Sequence, residues 1–219
     1  MKYVKHLLQI LGLFIICDNI CAQVPVYEEP HHKPVLENDY VRLLDVHINP
    51  HDTTLYHVHA APSVIVLISN SIVGAQKSGE APSSPSETIP GNTNFIDYGK
   101  NPITHRVFNA GDNVFHVMDI ELVKTQASAD SCNVLQQNNF QTTINENLAR
   151  VYKFNVSANQ SINIEKSSCA YLLICVNGEI NASNKKIKTG EYIFFKPNNN
   201  IPLINNESNN ATCVLLQLK

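Results

Sequence analysis

Several signals are missing from this chain of 219 residues, and each absence removes a class of function. No Cys-x-x-Cys pair occurs among its six cysteines, so the spacing of zinc ribbons and dithiol redox centres is absent. Basic residues are outnumbered, with 16 Lys and Arg against 19 Asp and Glu, which speaks against nucleic acid as a partner. Almost no segment sustains helical periodicity. No apolar run reaches the roughly 18 residues of a membrane span, because Asp18 and Asn19 end the stretch that begins at Leu7. No histidine follows His116, so an imidazole metal site can be built only in the first half.

What is present begins with a leader. Met1-Lys-Tyr-Val-Lys5 is a positive start, Leu7 to Ile16 is a short apolar core, and Cys21-Ala22-Gln23 offers a cleavage site after Ala22. Residues 1–22 are therefore expected to be a signal peptide, and the protein to be exported, periplasmic or secreted. An uncleaved membrane anchor is the other reading of the same residues. Cleavage would remove Lys2, Lys5 and Asp18 and leave 14 basic and 18 acidic residues with no stable membrane span. Cys132, Cys169, Cys175 and Cys213 would remain, with three complete pairings open in an oxidising compartment. Cys169, Cys175 and Cys213 lie in apolar runs and are equally readable as buried small hydrophobes.

The rest of the chain is an all-β pattern of short Val, Ile, Leu, Tyr and Phe runs set between Pro, Gly, Asn and Ser clusters. Strands are expected over 40–48, 54–59, 63–69, 94–98, 104–108 and 114–122. A second series is expected over 150–164, 169–176, 185–188, 191–195 and 212–218. Gln23 to Pro34 reads as an extended arm, with His31 and His32 as exposed arm residues rather than ligands. Lys77 to Gly91 reads as a loop, either a surface insertion or a lid. From Lys124 to Leu148 the alternation fades, which marks a linker.

Chemistry concentrates in His57-Val58-His59. Alternate residues of a strand share a face, so His57 and His59 can grip one ion while Val58 packs on the other side. A half-buried strand with two ordinary histidines is the plain alternative. His105, in Pro102-Ile-Thr-His105-Arg-Val-Phe-Asn109, supplies a third imidazole from a second strand. The same alternation places Arg106 outside the site and makes Tyr56 a packing residue. His116, with Met118 and Ile120 on its face, reads more simply as a core histidine than as a pocket residue.

These residues resemble the two motifs of the cupin superfamily. His51 stands at the opening Gly position, Asp52-Thr-Thr-Leu-Tyr56 is the spacer to His57-Val58-His59, Ser63 stands where the family has Glu, and Gly74 closes the motif late. His105 and Asn109 keep the spacing of the second motif, with Pro102 where Gly is expected. Pro197-Asn-Asn-Asn-Ile201-Pro-Leu-Ile-Asn205 is similar again, with Asn205 matching Asn109 and Ile201 in place of His105.

The resemblance implies a jelly-roll barrel with ligands facing its mouth, and two tandem barrels (a bicupin). It divides the chain into a metal-binding cupin barrel over 23–124, a linker over 125–148 and a degenerate cupin-like domain over 149–219. His57, His59 and His105 would hold one divalent transition metal (Fe, Mn, Ni, Cu or Zn). The functions implied are a metal-dependent, dioxygenase-like enzyme acting on a small molecule, or a non-catalytic small-ligand-binding or structural double barrel, either one pairing as a homodimer.

Overall fold

The computed structural model describes residues 23–123, 132–137 and 139–219. The expected leader lies outside them, as does part of the expected linker. The chain is all-β, with no α-helix among the described residues. Its first half runs β1 (Val24–Pro25), a 3-10 turn (Val26–Glu28), β2 (His32–Glu37), β3 (Val41–Ile48), β4 (His57–His59), β5 (Ser63–Leu67), β6 (Ile72–Lys77), β7 (Ser86–Glu87), β8 (Thr93–Ile96), β9 (Ile103–Asn109) and β10 (Phe115–Leu122). The second half runs β11 (Phe140–Asn145), β12 (Ala149–Val156), β13 (Ser161–Ile164), β14 (Ala170–Asn177), β15 (Glu179–Ala182), β16 (Lys185–Lys188), β17 (Tyr192–Phe195), β18 (Ile201–Ile204) and β19 (Ala211–Leu218).

The strand order repeats. One sheet of the first half reads β2-β3-β10-β5-β8 and its counterpart in the second reads β11-β12-β19-β14-β17. The other sheets read β1-β4-β9-β6-β7 and β13-β18-β15-β16, which match from β4 and β13 onward. In this correspondence β11 is the equivalent of β2, so the first strand of the second half lies inside the segment expected to be a linker.

The two asparagines singled out by the motifs act alike. Asn109 donates through Nδ2 to the carbonyls of Ile48, at the end of β3, and of Asn113, and its Oδ1 accepts from Gly111 N–H. Asn205 donates to Val156, at the end of β12, and to Asn209, and accepts from Glu207 N–H. Each pins the turn after a strand to the end of another, using a side chain that satisfies buried backbone groups.

Packing explains which faces are apolar. Val41, Leu43, Val64, Val66, Met118 and Ile120 from β3, β5 and β10 meet Val151, Leu172, Ile174, Val214 and Leu216 from β12, β14 and β19 in one cluster. The central sheets of the halves thus pack face to face. The opposite face of β3 and β10 turns inward, where Leu44, Val46, Ile48, Phe115 and Val117 form the interior of the first half. Tyr152, Phe154, Ile180, Ile201 and Leu215 fill the interior of the second. Each such side chain contributes about 1.5–3 kcal/mol by leaving water.

Expected strands that face these cores are all present, although the run over 150–164 breaks at a turn in which Asn159 has φ 56°. Of the unexpected ones, β1, β2, β7 and β11 lie at sheet edges, while β6, β15 and β18 lie within their sheets. Among the cysteines, Cys132 and Cys169 form a disulfide, while Cys175 and Cys213 stay as thiols, buried and opposite one another on β14 and β19.

Candidate metal centre

Strands β4 and β9 place the histidines. They pair antiparallel with His57 opposite His105, so these two project to the same side, and alternation brings His59 to that side as well. His51, at the position where the family has glycine, takes the left-handed conformation that glycine favours, with φ 62°. The three rings converge: centroids lie 4.8 Å apart for His57 and His105, 4.9 Å for His59 and His105, and 5.0 Å for His57 and His59.

A fourth histidine joins them. His32, expected to be an exposed arm residue, is buried on β2 with its ring 4.5 Å from that of His57. Ring nitrogens of His32, His57 and His59 all lie within 4.8 Å of one another. The arm is drawn inward because β2 pairs with β3, setting His32 opposite Val46, whose side chain belongs to the barrel interior.

Hydrogen bonds set the orientation of two rings. His57 Nδ1 donates to the Leu55 carbonyl at 2.8 Å, which leaves Nε2 as the unprotonated nitrogen. His32 Nδ1 donates to Glu29 Oε2 at 2.6 Å. Glu29 also accepts from His31 and from Leu55 N–H. Burial pushes the Glu29 carboxyl up, but these hydrogen bonds outweigh it and bring it down to about 2, so it stays ionised.

A carboxylate also reaches the centre, from β10 rather than from β5. Asp119 Oδ2 lies 3.5 Å from His59 Nδ1, just outside hydrogen-bond geometry. Burial, reinforced by the charge of Glu121, raises its carboxyl to about 7, and the Ser63 hydroxyl offsets this in part. Ser63 itself, at the family's Glu position, is buried and donates to the Ala61 carbonyl at 3.3 Å.

The imidazoles are held neutral. Burial and the neighbouring His32 bring His57 down to about 3, burial with His105 and His57 brings His59 to about 2, and burial with His32 brings His105 to about 4. His57 Nε2, His59 Nδ1, His105 Nε2 and both Asp119 oxygens are buried without a hydrogen-bond partner. Each such orphan costs roughly 1–3 kcal/mol; His59 Nδ1 and Asp119 Oδ2 face one another, which leaves His57 Nε2 and His105 Nε2 as orphans that suit a divalent transition metal, which imidazole nitrogens bind readily.

The centre opens into a cavity of about 310 Å³. Val46, Ile48, Ile65, Val73 and Phe115 give it apolar walls, and Tyr98 stands with its ring 4.7 Å from that of His59. Ser83, Ser84 and Ser86 complete the wall, so the segment over 77–91 reaches the cavity. Arg106 lies outside as expected, donating to Gln76 and covering the Tyr56 ring. His116 is on the outer face of β10, bonded to Asp45, and is neither in the cavity nor in a core.

Solved structures share this architecture. The bacterial pirin YhhW from Escherichia coli, in complex with nickel(II), superposes with TM-score 0.59 at 13% identity over 82% of both chains. The fold is that of the cupins. A cupin 2 conserved barrel domain protein from Leptotrichia buccalis gives TM-score 0.50 at 11% identity, covering 84% of this chain and 86% of that one. A salicylate 1,2-dioxygenase variant from Pseudoaminobacter salicylatoxidans gives 0.56 at 10% identity, covering 82% and 71%. No protein-family model matches the chain, and no curated protein matches its sequence.

Proposed function

We propose that this is an exported metal-binding protein of cupin fold, a dioxygenase-like enzyme acting on a small molecule, with His57, His59 and His105 as ligands to one divalent transition metal. The observation that carries the reading is the clustering of three buried, neutral imidazoles whose ring centroids lie 4.8 to 5.0 Å apart, with His57 Nε2 and His105 Nε2 orphaned and with His59 and His105 lining an apolar cavity. The nickel(II) in the pirin and the dioxygenase among the fold relatives support it. Export draws support from the disulfide between Cys132 and Cys169, a bond that persists in oxidising compartments.

When bound, a divalent transition metal supplies Lewis acidity and, if redox-active, a place for dioxygen. The protein's own groups do the rest. Leu55 and Glu29 fix the ring nitrogens of His57 and His32, and Asp119 stands behind His59 to hold its orientation. Neutral ligands leave the ion's charge uncompensated, so a substrate with an anionic or polar oxygen fits the histidine end. Its apolar part fits the Val, Ile and Phe walls, and Ser83, Ser84 and Ser86 add hydroxyl groups to the wall.

His32 favours a second reading. Four imidazoles fill a tetrahedral shell, as in closed structural sites, whereas catalysis needs an open position. A non-catalytic ligand-binding protein follows if His32 coordinates permanently. Oxygen uptake by the Fe(II)-loaded protein, measured against a panel of small aromatic acids and phenols, separates the two. Uptake that His105→Ala abolishes supports the enzyme; thermal stabilisation by the same compounds without uptake supports the binder.

A further inference from the structure

A second cluster of ligating side chains lies on the other side of the sheet from the histidine centre. We propose that Asp45, His47 and His116 form a separate binding site for a divalent transition metal at the rim of the interface between the two halves. On β3 and β10, His47 is opposite His116 and Asp45 is opposite Met118. Alternation puts all three on the face away from Val46, Ile48 and Val117, which line the cavity of the first site. The β3–β10 layer therefore separates the two centres.

The three donors converge on a point. His116 Nε2 is 2.8 Å from Asp45 Oδ1, and His47 Nδ1 is 3.5 Å from the same oxygen. The imidazole rings stack at 4.0 Å with planes 23° apart, and each turns one nitrogen toward the same Asp45 oxygen. One ligand atom from each residue lies within 4.8 Å of the others. Bonds of about 2.0–2.1 Å place tetrahedral ligands roughly 3.3 Å apart, a spacing reached by small side-chain rotations. Two imidazoles and one carboxylate are a donor set that first-row divalent ions accept, with positions left for water.

Two further features fit the assignment. Burial and the neighbouring His116 hold His47 below its ordinary value, so it offers a lone pair at neutral pH. Gly190, with φ +83°, comes from the turn before β17, and a Cβ there would stand 2.5 Å from His116 Cε1. The second half thus confines the His116 ring through a residue that has no side chain. Lys33, opposite Asp45 on β2, adds a smaller positive field at His47 that opposes a bound cation, while Asp45 favours one.

Zinc titration by calorimetry into metal-stripped, untagged protein tests the site. The parent is expected to take up two equivalents, His57→Ala with His59→Ala one, His47→Ala one, and the three substitutions together none. His47 has a side chain 44% exposed, so its replacement leaves the fold intact. Should the His57/His59 variant fail to fold, the parent and His47→Ala alone decide the matter. Equal stoichiometry in the parent and His47→Ala would overturn the proposal. Loss of one equivalent in His47→Ala, with none lost in the His57/His59 variant, would uphold it and overturn the first site instead.

Discussion

Asp119 Oδ2 stands 3.5 Å behind His59 Nδ1, with both groups buried in the barrel interior. A carboxylate in that position holds the ring with its other nitrogen toward the centre and raises its basicity. Asp119→Asn keeps the shape and removes the charge. It is expected to weaken metal binding about 10–100-fold, as measured by competition against a chelator. Affinity equal to the parent's would show that Asp119 has no part in the site.

Glu29 gathers hydrogen bonds from His31, His32 and Leu55 while almost wholly buried, at 1% exposure. Glu29→Ala leaves those donors without an acceptor. The expected loss of folding stability is about 2–4 kcal/mol, in line with hydrogen bonds to a charged group at about 1.5–3 kcal/mol each. Urea unfolding of the metal-free protein measures it, and a change under about 0.5 kcal/mol, the size of an ordinary surface substitution, would contradict the network.

Acid sensitivity follows from the depressed imidazoles. His57, His59 and His105 take up protons near pH 3, 2 and 4 when folded, against 6.5 as the ordinary value. Between those limits the unfolded chain binds more protons, so their contribution is full above about pH 6.5 and is lost as pH falls toward the folded values. Asp119, raised to about 7, acts in the opposite sense. His105→Ala is expected to flatten the slope of metal-free stability against pH by about 1 kcal/mol per pH unit. Unfolding midpoints between pH 4.5 and 6 check this, and an unchanged slope would refute it.

Ile201, at the position matching His105, is fully buried among apolar neighbours of the second half. Ile201→Ala is expected to cost about 2–5 kcal/mol by opening a cavity, with metal content unchanged. Metal loss in this folded variant would tie the second half to the site.

Much of this was legible in the sequence because strand alternation is a strong signal. His57 and His59 had to share a face, and a register that opposes His57 to His105 does the rest. Asp119 was readable by the same rule: with His116, Met118 and Ile120 on one face of β10, Val117, Asp119 and Glu121 must occupy the other. Its apolar neighbours concealed it. His32 was hidden because β2 is an edge strand with Pro34 beside a register shift, and proline in a polar arm does not look like a strand. The strand β11, also at a sheet edge, was concealed by its polar residues, since Gln141, Thr142 and Thr143 are exposed. Local pattern reports long apolar faces; the edge strands β2 and β11 are too polar to show one, and β15 and β18, though they bury Ile180, Ala182, Ile201 and Leu203, are four residues each and too short to show one.

The most direct measurement is the metal content of residues 23–219, purified without a histidine tag, beside a variant carrying His57→Ala, His59→Ala and His105→Ala, both in the His47→Ala background that removes the second cluster. The account predicts near one equivalent of a transition metal in the first protein and little in the second. Equal content in the two, or none in either after reconstitution, would contradict a metal centre at these histidines.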